Sequence, residues 1–459
     1  MLEINRIYQT EIISCADSGD GVCRMDGLAV FVKGACEGDI CEICIDKIKK
    51  NYALAHLVRI IKPSAFRTSP PCRAYKKCGG CQLMHIKYEK QLAMKKQFVF
   101  DALSRIGHID LSEVSFYDTM GMESPERYRN KMVFPIGKGE NGSICGGFYA
   151  PKSHQIISLN DCFLGNSLAS YYLTHVIDYM KENHISAYNE SAHSGLVRRL
   201  FVRIGYHSKE VMIVLSVNGK KLPNEQVFID TLLNATPKEY YLKSIILNEN
   251  TERNNLVLGE NNRTLYGDSF IKDTLCGISF EISPNSFYQV NPIQTERLYQ
   301  TAIQFAELNG TETVLDLYCG IGTISLCAAS HAANVIGVEI VPQAILNAKQ
   351  NAKRNHIKNA QFYTGDSQSI SEKLLQKGLS PDVIFVDPPR KGCDEKTLKN
   401  VLDMNPEKIV YVSCNPATLA RDLQVLTENG YTLLKIQPVD MFPQTVHVET
   451  IALLQRQAM

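Results

Sequence analysis

From Ser286 onward, stretches of strand and helix character alternate, and that alternation leaves few folds open to the chain. Strand-like runs recur at 313–317, 334–339, 361–364, 383–386 and 409–412, with helical stretches between them, the first of which is preceded by a helix over 294–308. Strands joined through helical crossovers pair in parallel, bury both faces, and make a doubly wound α/β sheet. In such a sheet, ligands and chemistry gather past the carboxyl ends of the strands. Those ends carry Gly320 and Gly322 in a tight turn, then Glu339, Asp366, Asp387 and Cys414. Two last strands are expected at 432–439 and 449–454.

The turn Asp316-Leu-Tyr-Cys-Gly-Ile-Gly322 runs from strand into helix, so a ligand can approach bare backbone beside a helix N-terminus. Glu339, closing the second strand, is placed to accept both hydroxyls of a ribose. Together they fit an adenosine-containing ligand. The dinucleotide form of the loop is missing, because Gly322 is followed by Thr323-Ile-Ser325. The loop instead resembles the S-adenosylmethionine loop of class I methyltransferases.

Cys414 follows a β-branched, aromatic run and sits in the turn Ser413-Cys-Asn-Pro416. Most free cysteines are small core residues. One delivered to the functional edge of an α/β sheet is a candidate nucleophile, since a thiol is already partly thiolate at neutral pH. Near the C-terminus, Glu449 beside His447 is the candidate general base.

The region ahead of this domain divides further. Residues 1–63 alternate short apolar runs with glycine turns, which suggests a small OB-like β-barrel ending in the basic stretch Lys47-Ile-Lys-Lys-Asn51. The pattern resembles the TRAM domain, and barrels of this kind bind RNA. Residues 64–110 carry Cys72, Cys78 and Cys81 in a C-x5-C-x2-C run with two glycines, then a helical segment over 87–106 bearing Lys90, Lys95 and Lys96. Three thiols so spaced point to a metal centre, with zinc and iron–sulfur both open on spacing alone. The fourth ligand is expected from Cys162, with Cys145 as competitor. Residues 111–285 read as a mixed α+β domain, with strands at 132–136, 146–150, 156–159, 198–204, 210–216 and 244–248. Its patch Arg127-Tyr-Arg-Asn-Lys131, extended by Arg198 and Arg199, is a candidate for RNA phosphates, with Arg127, Arg129 and Lys131 as the contacts.

Composition bounds the reading. A net charge of +1 over 459 residues means that nucleic-acid binding must come from local patches. No apolar run spans a bilayer or forms a signal region, so fifteen cysteines read as reduced thiols and the compartment as cytoplasmic. With no tryptophan, base stacking falls to Phe, Tyr, His or Arg, and Phe287 is the candidate.

Taken together, Ser286-Phe-Tyr-Gln-Val-Asn-Pro292, the 316–322 loop, Asp387-Pro-Pro-Arg-Lys-Gly392, Val412-Ser-Cys-Asn-Pro416 and Phe442-Pro-Gln-Thr-Val-His-Val-Glu-Thr450 resemble the RNA uracil-C5-methyltransferase family over essentially the whole chain. The resemblance implies an S-adenosylmethionine-dependent enzyme that makes 5-methyluridine, with Cys414 as nucleophile and Glu449 as base. It implies cofactor contacts from Gln289, Tyr318, Gly320, Glu339, Asp366 and Asp387, although some relatives carry an amide at the position of Asp366. It also implies that Cys72, Cys78, Cys81 and Cys162 ligate a [4Fe–4S] cluster. The barrel and the cysteines favour 23S rRNA as substrate over tRNA. A non-catalytic RNA-binding or ribosome-assembly factor is the reading from a different class, and the presence of Cys414 and Glu449 counts against it.

Overall fold

In a computed structural model describing residues 1–139 and 141–457, the C-terminal domain is built on an eight-stranded sheet. Its order is Ala360–Thr364, Asn334–Glu339, Thr313–Leu317, Val383–Val386, Lys408–Ser413, Glu449–Arg456, Tyr431–Val439 and Ser115–Phe116. The first five strands are parallel, and Glu449–Arg456 runs antiparallel between its two neighbours. Side chains alternate between two buried faces. Val383, Phe385, Val410 and Val412 enter one apolar core, while Ile384, Val386, Ile409 and Tyr411 enter the other. A strand buried on both faces must be apolar almost throughout, which is why these runs read clearly in the sequence.

Two segments from upstream join this domain. The Ser115–Phe116 strand pairs with Tyr431–Val439. The hairpin Ile271–Leu275 and Ile278–Ile282 sends Ile271, Leu275, Phe280 and Ile282 into the same core as Val314 and Val335. A boundary at 286 therefore cuts too late and one at 111 too early. Neither segment carries strand–helix alternation, so composition could not assign it.

The central domain is a seven-stranded sheet whose helices, Ser167–Glu182 and Glu225–Ala235, pack on it through a separate apolar core. The N-terminal six-stranded sheet wraps round Ile12, Cys23, Val30, Val32, Ile43 and Ile45. Register shifts in the pairing of Ile40–Ile48 with Tyr52–Lys62 give it the bends that a small barrel needs. The fold is thus a doubly wound α/β domain with an N-terminal barrel and an α+β domain between them. Among the described residues, no helix is long and apolar enough to cross a membrane.

The Tyr88–Arg105 helix links barrel and catalytic domain, and its lysines are not a free basic face. Lys90 pairs with Glu37 of the barrel and Lys96 with Asp118. Lys95 is fully buried against Asp440, 2.5 Å away.

Candidate active site

All five parallel strands end at one edge of the sheet, and the sequence candidates assemble there. The Lys408–Ser413 strand stops at Cys414, because Asn415 turns the chain by accepting from the Ala417 N–H at 3.1 Å and Pro416 starts the next helix. Antiparallel pairing of Ser413 with Thr450 sets Glu449 across from Cys414. The Val383–Val386 strand delivers Asp387 beside them, and Arg390 follows on the same loop. Cys414, Arg390 and His447 form one wall of a cleft of about 1080 Å³. Opposite walls come from the barrel, through Arg24 and Phe31, and from the linking helix.

Electrostatics at this edge are dominated by acidic groups whose ionisation burial opposes. Glu449 is 5% exposed, and its carboxyl is pushed up to about 8 by burial and by Asp387, against the pull of Arg390. Burial likewise lifts Asp387 to about 7. The Cys414 thiol is raised to about 11 by burial and by Glu449, while Arg390 lowers it. His447 is held below its ordinary value, first by burial and then by Arg390, so it is neutral near pH 7. Arg390 is thus the cation that favours both the Cys414 thiolate and the Glu449 carboxylate.

The loop after Thr313–Leu317 is built for close approach. Tyr318, Gly320 and Gly322 all take left-handed backbone, at φ of 69°, 56° and 82°. A non-glycine residue in that region is strained and marks a functional turn more often than chance. A side chain added at Gly320 would meet no atom within 4 Å, so the loop borders open space. Glu339 accepts from the Gly320 N–H at 3.2 Å and from the Val341 N–H at 2.8 Å. Beneath the loop, Asp316 is fully buried, takes a hydrogen bond from Ser325, and is raised to about 7, first by burial. Gln289 lies on the 286–292 loop, where its carbonyl accepts from Asn130 Nδ2 at 3.0 Å. Phe287 on that loop is 67% exposed. Asp366 caps the Ser367–Gln376 helix by accepting from the Ser369 N–H at 2.8 Å, which explains a carboxylate there without any ligand.

The four cysteines also come together, away from this edge. Cys72, Cys78, Cys81 and Cys162 line a cavity of about 100 Å³ closed by Tyr75, Phe148 and Phe163. Cys145 borders a neighbouring groove rather than this cavity. Arg129 lines the cavity too, and its buried Nε has no partner. Arg127 clasps Asp161 and donates to the Cys162 carbonyl at 2.7 Å. These two arginines, expected on RNA, hold the cysteine site instead. Lys131 is half-buried and lowered to about 8, first by burial and then by Arg203. Arg198 and Arg199 are buried, with Arg198 donating to the Asn250 carbonyl and Arg199 to the Leu256 carbonyl. A basic run in a β-rich region does not reveal which cations bond to the protein's own carbonyls.

Comparison with known proteins bears on this geometry. Residues 268–457 match the tRNA (Uracil-5-)-methyltransferase family, and residues 11–58 match the TRAM domain. A Clostridium tetani protein named "uncharacterized RNA methyltransferase" is 47% identical over 450 residues, 98% of this chain and 96% of that protein. The chain belongs to the RNA uracil-5-methyltransferase family. A Halalkalibacterium halodurans protein with a similar name is 44% identical over 451 residues, 98% of this chain and 97% of its own. The Pyrococcus abyssi tRNA (uracil-54, C5)-methyltransferase, in complex with S-adenosyl-L-homocysteine, is similar in structure with a TM-score of 0.78 at 26% identity. That similarity covers 97% of this chain and all of the Pyrococcus chain. The uracil-5-methyltransferase match starts at 268 and so takes in the 271–282 hairpin, as the packing of the core requires.

Proposed function

We propose that this protein transfers a methyl group from S-adenosylmethionine to carbon 5 of a uridine in 23S rRNA, in the cytoplasm, with Cys414 as nucleophile and Glu449 as base. The observation that carries the reading is Cys414 facing a buried Glu449 across a strand pair at the functional edge of the sheet. Carbon 5 of uracil is too weak a nucleophile to take a methyl group unaided. Cys414 adds as thiolate to carbon 6, which breaks the 5,6 double bond and leaves an electron-rich carbon 5. Once carbon 5 is methylated, Glu449 removes its proton, the double bond reforms, and Cys414 leaves as thiolate. A base with a pKa near neutrality is well matched to that proton transfer. Arg390 favours the thiolate at the first step and the carboxylate at the last.

The residues fit a cationic adenosine ligand. Asp316, Asp387 and Glu449 are all buried carboxyls lifted towards neutrality, and a nearby positive charge would ease their ionisation. S-adenosylmethionine, when bound, supplies an electrophilic methyl group on a positively charged sulfur. Gln289, Tyr318, Gly320, Glu339, Asp366 and Asp387 are the residues assigned to hold it, Glu339 through the ribose hydroxyls. Phe287 is the residue assigned to stack on an extruded base, which costs a few kcal/mol to unstack.

The cysteine site is assigned to a [4Fe–4S] cluster, as the family resemblance implies, with zinc as the alternative. Cys72, Cys78, Cys81 and Cys162 line one cavity, which supports a shared metal centre. The unpartnered Arg129 Nε offers positive charge to such an anionic group. The methyl transfer needs no electron transfer from this site.

The Pyrococcus relative is named for a tRNA uridine and aligns over the barrel as well, so the barrel alone does not separate rRNA from tRNA. Action on tRNA is therefore the second reading. Purified protein with labelled S-adenosylmethionine, unmodified 23S rRNA fragments and unmodified tRNA decides between them. Label as 5-methyluridine in rRNA is the expected result. Label in tRNA alone overturns the substrate, and label in neither overturns the activity.

A further inference from the structure

The stretch from Asp440 to Val448, which leads into Glu449, is held by the linking helix, the central domain and the 286–292 loop. Tyr88 donates to Asp440 at 2.8 Å, and Lys95 pairs with the other carboxylate oxygen. Tyr128 of the central domain donates to the Pro443 carbonyl at 3.1 Å, and Asn291 to the Met441 carbonyl at 3.0 Å. At the middle of the stretch, Gln444 is a non-glycine residue in left-handed backbone, at φ 70°.

The groups that hold Gln444 come from the cysteine segment and the linking helix. The N–H groups of Gln82 and Leu83, which follow Cys81, both donate to the Gln444 carbonyl at 3.0 Å. Gln91, 1% exposed, accepts from the Gln444 N–H at 3.2 Å and donates to its side-chain oxygen at 3.0 Å. The same Gln91 amide donates to the Leu83 and Ile86 carbonyls at 3.1 and 2.8 Å, tying the cysteine segment to the helix. Past Gln444, Thr445 bonds the Phe442 carbonyl at 2.8 Å and receives the His447 N–H at 3.3 Å, which closes the turn two residues before Glu449. Cys414 is placed differently, at the end of the Lys408–Ser413 strand, where Asn415 caps the turn and donates to the Arg390 carbonyl at 3.1 Å.

We propose that Gln91 and Gln444 are positioning residues that couple the folded state of the Cys72–Cys81 segment to the placement of Glu449, so that this segment governs proton removal from carbon 5 rather than attack by Cys414. The proposal rests on the nucleophile and base assignments above. It gives the cysteine site a task in a reaction that involves no electron transfer.

Gln91→Met keeps the volume of the side chain and removes its hydrogen bonds. The test compares this variant with wild type on ordinary RNA and on RNA carrying 5-fluorouridine. Fluorine cannot leave carbon 5 as a proton does, so the fluorinated substrate stops at the covalent Cys414 adduct whatever the state of the base. Expected is adduct formation on fluorinated RNA within about threefold of wild type, with turnover on ordinary RNA reduced at least about tenfold. Covalent complex should also accumulate on ordinary RNA, visible as a protein–RNA band in a denaturing gel. An equal loss of both rates, or of neither, overturns the proposal. If Gln91→Met does not fold, Gln444→Gly, which relaxes the left-handed backbone and deletes the side-chain contact, must give the same split. Glu449→Gln serves as control. If it fails to accumulate adduct on ordinary RNA, the base assignment itself is wrong, whatever the Gln91 variant does.

Discussion

Replacing Glu449 by glutamine isolates the electrostatic cost that this fold accepts at its functional edge. Lifting a carboxyl from its ordinary 4.5 to about 8 disfavours the ionised form in the folded chain by about 5 kcal/mol relative to the unfolded one. The sign follows from proton binding. Between those two values the folded protein holds a proton that the unfolded chain has released, so stability falls as pH rises. Below about 4.5 both states are protonated and nothing is lost, and above about 8 the loss is complete. The amide of the variant keeps nearly the same shape and cannot ionise. Wild type and Glu449→Gln should therefore unfold at similar denaturant concentrations near about pH 5. Near about pH 8.5 the variant should be the more stable by several kcal/mol, about 5 at most. The assay is denaturant unfolding of the ligand-free protein across that range, following the transition of the catalytic domain. Parallel curves at every pH would refute the reasoning, because they would mean that Glu449 ionises in the fold as freely as in water. Catalysis runs the other way. Turnover by wild type should rise as pH climbs towards about 8, since only the carboxylate can accept the proton.

Arg390→Met removes the cation that favours ionisation of both Cys414 and Glu449. The rising limb of the pH–rate profile should move up by as much as about one pH unit, and turnover near neutrality should fall accordingly. Lys95→Met strands a buried Asp440 carboxylate and should destabilise the protein by about 3–5 kcal/mol, measured by denaturant unfolding. The paired replacement Lys95→Met with Asp440→Leu should recover most of that loss, because buried ion pairs exchange for apolar contacts at little net cost.

Much of the catalytic domain is written locally in the chain. Strands buried on both faces must be continuous apolar runs, and the residues that end them fall at one edge by the rule of parallel crossovers. Glu339, Asp387 and Cys414 could therefore be placed on a common edge from the sequence. Tertiary structure alone decided what depends on register and on distant partners. Only the antiparallel insertion of Glu449–Arg456 beside Lys408–Ser413 turns a glutamate at a strand start into the group opposite Cys414. Burial then lifts its carboxyl to about 8. The basic residues show the same divide. Arg127, Arg129, Arg198 and Arg199 look like a phosphate-binding surface in one dimension, but in the fold they bond carbonyls or face the cysteine cavity. One local signal does foretell a buried partner: Lys95 falls on the helix face of Leu92, Val99 and Leu103, where a charge is tolerated only with a counter-ion. That the counter-ion is Asp440, 345 residues on, no local pattern could say. Periodicity and turn chemistry act over a few residues, whereas burial and charge pairing are set by whatever the folded chain brings alongside.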